Sequence, residues 1–434
     1  MIAVQAPALD KRGNRVSRTH SGAFPMDGPE AVGRRVAAMF EKPASVDGGT
    51  FAEAWADFEA DTRARHDAIE RDRRRVRRKL RDVAARCLPN EAVCRCGRHA
   101  SRAHAGGEFV AIKRAEGRAF YSGVVTCGSV WHCPVCASKV SEARREDIEA
   151  VVTAHEATGG VVYHAVLTVP HHAFQACKLL REAVSKAWQE VQRGRAWVKL
   201  KEQYGFVGNV RSLEVTHGGN GWHPHIHVLM FFDHGDWLAL TDEFGAELFA
   251  RWQAAVERLG MGKPSRRAFR WERCWTPKEA GEYVAKWGLE MTKGHMKTGK
   301  RSGQRTPWQI LQDIAETGSE ADKALFREYG QAFKGARQLT WSRGLRALYL
   351  ADEEMTDAEA SQAEPVESET VATVAADGYK ILVSRELEIA LLEHVERDGA
   401  DGVFKFCWAY DVPLNWFRLA ERNDHAKGRY PPPA

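Results

Sequence analysis

Residues 214–227 read Glu214-Val-Thr-His-Gly-Gly-Asn-Gly-Trp-His-Pro-His-Ile-His227, and the fold is decided there. Along a strand, successive side chains point to opposite faces. His223, His225 and His227 therefore share one face, while Pro224, Ile226 and Val228 turn into a core. Upstream, residues 210–216 are strand-like, and residues 217–222 have the Gly- and Asn-rich chemistry of a turn. With residues 218–221 as the loop, a hairpin sets Thr216 opposite His223 and Glu214 opposite His225. The carboxylate then lies on the histidine face, one strand over. Imidazoles and a carboxylate on adjacent strands make a divalent-metal site. His225 and His227 are its central pair and Glu214 the preferred third ligand. His223 is either a ligand or sits above the site. Pro224 within a strand predicts an edge or a bulge, opening the site to a large substrate.

The chain around this hairpin has 434 residues and a net charge of +5, unevenly spread. Residues 71–81 carry eight basic side chains; residues 351–370 carry eight acidic ones and no basic one. The first run fits a polyanionic partner or a solvated helix face, the second a solvated linker. No apolar run reaches membrane-spanning length, and no apolar signal core opens the chain, so a cytoplasmic protein without membrane contact is expected. In such a protein, nine cysteines point to metal ligation rather than disulfides.

Six of those nine fall in residues 87–140. The spacing Cys133-Pro-Val-Cys136 lets both thiolates reach one tetrahedral ion. Cys127 and Cys96 complete the expected structural zinc site, with Cys94, His99 and His132 as alternates.

From end to end, residues 1–50 lack periodicity and are expected to be disordered, and residues 51–86 form a basic helix. Residues 87–140 form the zinc-binding segment. Residues 141–350 alternate helical and strand patterns: helix 141–158, strand 161–169, helix 173–203, the hairpin, helix 236–259, strand 268–275, and a helix from Thr276. The order suits an α+β domain with a central antiparallel sheet, helices on one face and the histidine face open. Residues 351–375 are an acidic linker, and residues 376–434 a small helical module and tail.

The helix from Thr276 has a good N-cap, Pro277 at the first position and Glu279 at the third. Glu279, Tyr283 and Lys286 fall on one face. A metal on an open sheet, a nearby tyrosine and basic surroundings point to phosphodiester transesterification. A phenol of pKa about 10 is a weak nucleophile and needs an activated phosphate. Lys286 is placed to add charge or to pair with Glu282. The phosphate-cradling Gly-x4-Gly-Lys-Ser/Thr loop is absent, so no nucleotide triphosphate need be consumed. Downstream, Trp341, Arg343 and Arg346 suit stacking and phosphate contact with single-stranded DNA.

These residues resemble those of the rolling-circle plasmid replication initiators of the HUH endonuclease superfamily, in the branch with a single tyrosine. The strand Ala165-Val-Leu-Thr-Val169 is similar to the family's first motif. Glu214 with His223-Pro-His-Ile-His227 is similar to its metal motif, and Glu282-Tyr-Val-Ala-Lys286 to its nucleophile motif. The cysteine segment 127–136 is similar to one that precedes the first motif in this branch. The resemblance covers about residues 94–346. It implies an HUH nuclease fold, Mg²⁺ or Mn²⁺ at His225 and His227, and nicking by Tyr283 at a plasmid origin. The 5′ end would stay on the tyrosine and leave a free 3′-hydroxyl. It implies that Glu279 activates water at termination, although the same position fits a helix cap. A host helicase and DNA polymerase are implied partners. Two other readings stand beside this one: a transposase or relaxase of the same superfamily, and a non-catalytic zinc-dependent DNA-binding protein.

Overall fold

The computed structural model describes residues 51–233, 239–282 and 303–420. The expected disordered segment 1–50, Tyr283, Lys286 and the C-terminal tail lie outside the described residues. Residues from Ile69 onward gather into one compact unit. Among the described residues, no helix is long and apolar enough to cross a membrane.

Two antiparallel sheets organise that unit. The larger contains β3 (Val161–Thr168), β4 (Phe206–Gly218), β5 (Gly221–Phe232), β6 (Phe269–Arg273) and β7 (Leu339–Trp341), in the order β6-β3-β5-β4-β7. One face of it is apolar along its length, with Ala165, Leu167, Leu213, Val215, Ile226, Val228 and Met230 all buried. Four helices cover this face: α3 (Cys177–Val191), α5 (Gly245–Arg258), α6 (Pro307–Thr317) and α7 (Glu320–Phe333). The helix expected over 173–203 is two, because Gly194 breaks it at φ +87° before α4 (Arg195–Gln203).

The histidine face is not open as expected. Val162, Val210, Leu229 and Phe231 make half of it apolar, and that half needs cover. The cover is α2 (Pro134–Ala157), which lays Ile148, Val151 and Val152 on it. Among the described residues, helices therefore lie on both faces, with α2 packed on the apolar half of this one.

The second sheet overturns the expected domain boundaries. It contains β1 (Phe109–Ala115), β2 (Arg118–Ser122), β8 (Glu369–Ala375) and β9 (Phe417–Leu419), in the order β2-β1-β8-β9. The strands of the zinc segment thus pair with the end of the supposed linker, Val110 standing opposite Val374. Composition hid this strand, because Val371, Ala372 and Val374 bury themselves within an acidic stretch. Residues 357–362 are also ordered, as α8 (Asp357–Gln362), closed by a capping box between Thr356 and Glu359. The C-terminal helices α9 (Ala376–Ser384), α10 (Glu388–Asp398) and α11 (Asp401–Tyr410) pack on this second sheet through Leu382, Leu391, Val395 and Phe406.

The basic run belongs to helix α1 (Phe51–Cys87), and it is not a free cationic face. Arg74 holds both carboxylate oxygens of Glu396, at 2.8 and 3.0 Å. Arg75 meets Glu393 at 2.7 Å, and Arg78 and Arg81 approach Glu388 at 3.6 and 3.8 Å. These four arginines dock α10 against α1, which corrects the nucleic-acid reading of the run.

Candidate metal centres

The hairpin has the register its sequence predicts: Glu214 stands opposite His225 and Thr216 opposite His223. The loop is tighter than expected, with strand pairing continuing to Gly218 and Gly221. Gly221 is required there: its φ is +80°, and a Cβ would sit 2.9 Å from the Ala173 backbone. β5 is a central strand, with no bulge at Pro224. The proline is tolerated because β3 ends at Thr168, opposite His225, so Pro224 has a paired neighbour on one side only.

Glu214 Oε2 lies 3.3 Å from His225 Nε2 and 3.2 Å from His227 Nε2. Ligands about 2.1 Å from a shared ion, at roughly 90–110° to each other, stand about 3.0–3.4 Å apart, so the spacing fits a cation between them. Both rings are turned the right way. His225 Nδ1 donates to the His223 carbonyl at 3.2 Å, which leaves its Nε2 lone pair facing Glu214. His227 Nδ1 contacts His164 Nε2 at 2.9 Å, leaving Nε2 on the same side. Glu214 Oε1 and His227 Nε2 are buried and make no hydrogen bond among the described residues. Buried polar atoms left so are costly, and a cation would satisfy both. Burial alone raises the Glu214 pKa, but His227 and His225 outweigh it and hold the carboxyl well below the usual range. With three protein ligands, coordination positions remain for a substrate oxygen.

His223 is not part of the convergence. Its ring lies 5.3 Å from that of His225 and 4.8 Å from that of His171. Burial, then the charges of His225 and His171, push its pKa down to about 3. It sits above the ligands rather than among them.

Sequence reasoning passed over His164, which is fully buried on β3. The signal was a histidine inside an otherwise apolar strand, facing the same way as the ligands. Burial pushes its pKa down to about 4, so it is neutral beside the site.

Glu279 is a cap in this structure. Residues 277–282 are helical; the Glu279 N–H donates to Thr276 Oγ1 at 3.1 Å, and its carboxylate accepts from the Trp275 N–H at 2.9 Å. This turn rests on the histidine face. Ala280 is buried in the same cluster as Val162 and Phe231, and a Cβ on Gly281 would meet Glu149 of α2 at 2.7 Å. Beside it, Trp275 is 70% exposed and carries Arg273 over its ring at 4.5 Å.

The cysteine cluster assembles as expected. Cys96 lies 3.5 Å from Cys136 and 3.6 Å from Cys133, and Cys127 lies 3.6 Å from Cys136, sulfur to sulfur. Tetrahedral zinc with bonds of about 2.3 Å sets sulfurs about 3.8 Å apart, so these four could hold one ion. Hydrogen bonds from Cys127 lower the Cys96 and Cys136 thiols, while burial pushes Cys133 up. A divalent cation would remove that division by stabilising all four thiolates. The alternates are engaged elsewhere or turned outward. Cys94 donates to the Leu88 carbonyl at 3.1 Å, His132 contacts the Gly330 carbonyl at 2.9 Å, and His99 is exposed.

Of the residues expected to contact DNA, Arg343 is exposed and Trp341 half-buried on β7. Arg346 is a correction. It is 7% exposed and holds Asp147 at 2.9 Å and Asp352 at 3.1 Å, so it braces the fold.

No protein-family model matches the chain, and no solved structure matches it. Over 370 residues it is 26% identical to the protein named Protein rep of Streptomyces lividans, covering 69% of this chain and 80% of that one. Over 143 residues it is 29% identical to the Neomycin resistance protein of Streptomyces cyanogenus, covering 27% of this chain and 33% of that one. The chain is thus a mixed α+β protein, similar along most of its length to a Rep protein, and among its described residues a cysteine cluster and a histidine–carboxylate cluster could each hold a metal.

Proposed function

We propose that this chain is a plasmid replication initiator of HUH type, which nicks one DNA strand at the origin by metal-assisted tyrosine transesterification. One observation carries the reading: Glu214, His225 and His227 converge, with contacts of 3.2 and 3.3 Å, on the part of the sheet that α2 leaves uncovered. Similarity to the Streptomyces lividans Rep protein supports the replication role.

Held by these residues, Mg²⁺ or Mn²⁺ would draw charge from a non-bridging phosphate oxygen and make the phosphorus more electrophilic. Tyr283 is the nucleophile. Its oxygen forms a bond to phosphorus as the bond to the 3′ oxygen breaks; the phenol loses a proton and the leaving oxygen gains one. The 5′ end stays on Tyr283, and the free 3′-hydroxyl becomes the primer for a host polymerase, with a host helicase opening the duplex. One phosphoester replaces another, so no triphosphate is consumed. Lys286 orients the phosphate. Glu279 activates the water that releases the product at termination. Trp275 with Arg273, and Trp341 with Arg343, give unpaired bases and phosphates a stacking and cationic surface. The cysteine cluster holds structural Zn²⁺.

The test is a covalent adduct. Purified chain, a single-stranded origin oligonucleotide and Mn²⁺ should yield a protein–DNA band on a denaturing gel, and Tyr283→Phe should abolish it. Origin binding by wild type with no adduct under any divalent metal would overturn the reading in favour of a non-catalytic zinc-dependent DNA-binding protein.

A further inference from the structure

We infer that Glu272 and His164 form a relay that positions His227 as a metal ligand, reaching it from an edge strand through a buried imidazole. The inference rests on the metal reading of Glu214, His225 and His227. Three adjacent strands supply its members: Glu272 on β6 stands opposite His164 on β3, and His227 on β5 is the diagonal neighbour of His164, which is itself paired with Leu229.

The geometry fixes a direction along the relay. His164 Nε2 lies 2.9 Å from His227 Nδ1, and the ring planes differ by 8°. The centroids are 5.1 Å apart, which is that contact plus a ring radius on each side. The rings therefore lie edge to edge in a common plane, as a hydrogen bond requires, rather than face to face. Neutral imidazole has one donor and one acceptor nitrogen. For His227 Nε2 to offer a lone pair to a metal, the proton must sit on Nδ1 and be donated to His164 Nε2. His164 then carries its own proton on Nδ1, which faces Glu272 Oε1 at 3.5 Å, within ion-pair reach and longer than a hydrogen bond. Arg270 holds the other Glu272 oxygen at 2.7 Å and aims the carboxylate along the relay. Each proton position follows from the one before it, from the metal-facing Nε2 of His227 out to Glu272 at the sheet edge.

Metal-bound histidines commonly donate their remote N–H to a carboxylate or carbonyl, which fixes the tautomer and raises ligand basicity. His225 uses a carbonyl for this. The Nδ1 side of His227 faces His164 rather than a carboxylate, and His164 spans the distance to Glu272. Glu272 and His164 are positioning residues; neither touches the metal or the DNA.

Mn²⁺ binding to the full chain without DNA, measured by calorimetry or by the loss of the free-ion EPR signal, tests the relay. Zinc content and melting temperature report folding of each variant. His164→Leu should weaken Mn²⁺ about 10- to 100-fold. His164→Gln, whose amide oxygen can accept from His227 Nδ1, should recover most of that loss. Glu272 is partly exposed on an edge strand, so Glu272→Ala keeps the test alive if His164→Leu does not fold; it should weaken Mn²⁺ several-fold. Wild-type affinity in either folded variant, or equal losses for His164→Leu and His164→Gln, would overturn the relay. Failure of the metal reading is a different result: wild type itself would bind no Mn²⁺, and Glu214→Ala would change nothing.

Discussion

Replacing Cys133 by serine should cost the chain its zinc and a large part of its stability. Cys133 is fully buried, and its sulfur lies 3.6 Å from that of Cys96, within the main hydrophobic core. Structural zinc contributes roughly 10–16 kcal/mol of apparent binding energy in small zinc-folded peptides. A whole domain is stable by only about 5–15 kcal/mol. In a core of this size, neighbouring packing survives the loss of the ion, so a net deficit of about 5 kcal/mol is the reasonable scale. At about 2–4 °C per kcal/mol, melting should fall by roughly 10 °C or more. Elemental analysis of wild type should find one zinc per chain, and Co²⁺ substitution should give the intense absorption of a tetrathiolate site. Cys94→Ser is the control. Its thiol only donates to backbone carbonyls, so it should shift melting by no more than a few degrees. Wild type that is free of zinc yet melts normally would refute the reasoning, as would equal effects of Cys94→Ser and Cys133→Ser.

Arg346→Ala leaves Asp147 without its partner in a partly buried setting and should destabilise by about 1–3 kcal/mol in urea, less than a fully buried pair because Asp352 is exposed. The salt dependence of DNA binding should not change with it, whereas Arg343→Ala should lower the slope by about one. Glu279→Gln should leave the covalent adduct intact and slow its hydrolytic release; on a gel, adduct should accumulate, and unchanged release would return Glu279 to capping alone. His155 is held below its ordinary value of 6.5 by burial, against opposing backbone hydrogen bonds. The unfolded chain takes up that proton first, so the His155 contribution is complete above about pH 6.5 and is lost as pH falls below it. Urea midpoints should therefore drop on acidification across that window, and His155→Gln should flatten the curve.

Local spacing carried most of what the sequence revealed. The hairpin register followed from alternation and a Gly-rich turn, and it placed Glu214 against His225 without knowledge of any other strand. Cys133 and Cys136 of the cysteine cluster are set by one turn of chain, and only two distant cysteines had to be added. What escaped reading depends on partners far along the chain. β1 meets β8 across more than 200 residues, and nothing local to Val371 or Val374 says which strand will receive them. His164 and Glu272 become neighbours only once the order β6-β3-β5 is known. Arg346 looked like a DNA contact because its neighbours are aromatic and basic; its carboxylate partner Asp147 lies on a helix 199 residues away. The two readings left open for the basic run could not be decided locally for the same reason, since Glu388, Glu393 and Glu396, which face four of its arginines, come from α10.

These distant pairings converge on α2, which ties the two metal centres together. Its first turn carries Cys136, and the helix starts directly at Cys133 with Pro134. A helix rises about 1.5 Å per residue, so Ile148, Val151 and Val152 stand roughly 20 Å further along, on the apolar half of the histidine face. Glu149, between them, is what the backbone of Gly281 packs against, one turn or less before Tyr283. An ion at the cysteine cluster would anchor the start of α2 and so set where its middle lies, and its middle supports the turn of residues 277–282, which on the proposed function leads to the nucleophile. Transesterification demands an aligned attacking oxygen, and a misplacement of about 1 Å can cost about 100-fold in rate. On the proposed function, a metal held by the cysteine cluster would thus bear on the chemistry through α2, the helix that joins the cysteine segment to the histidine sheet.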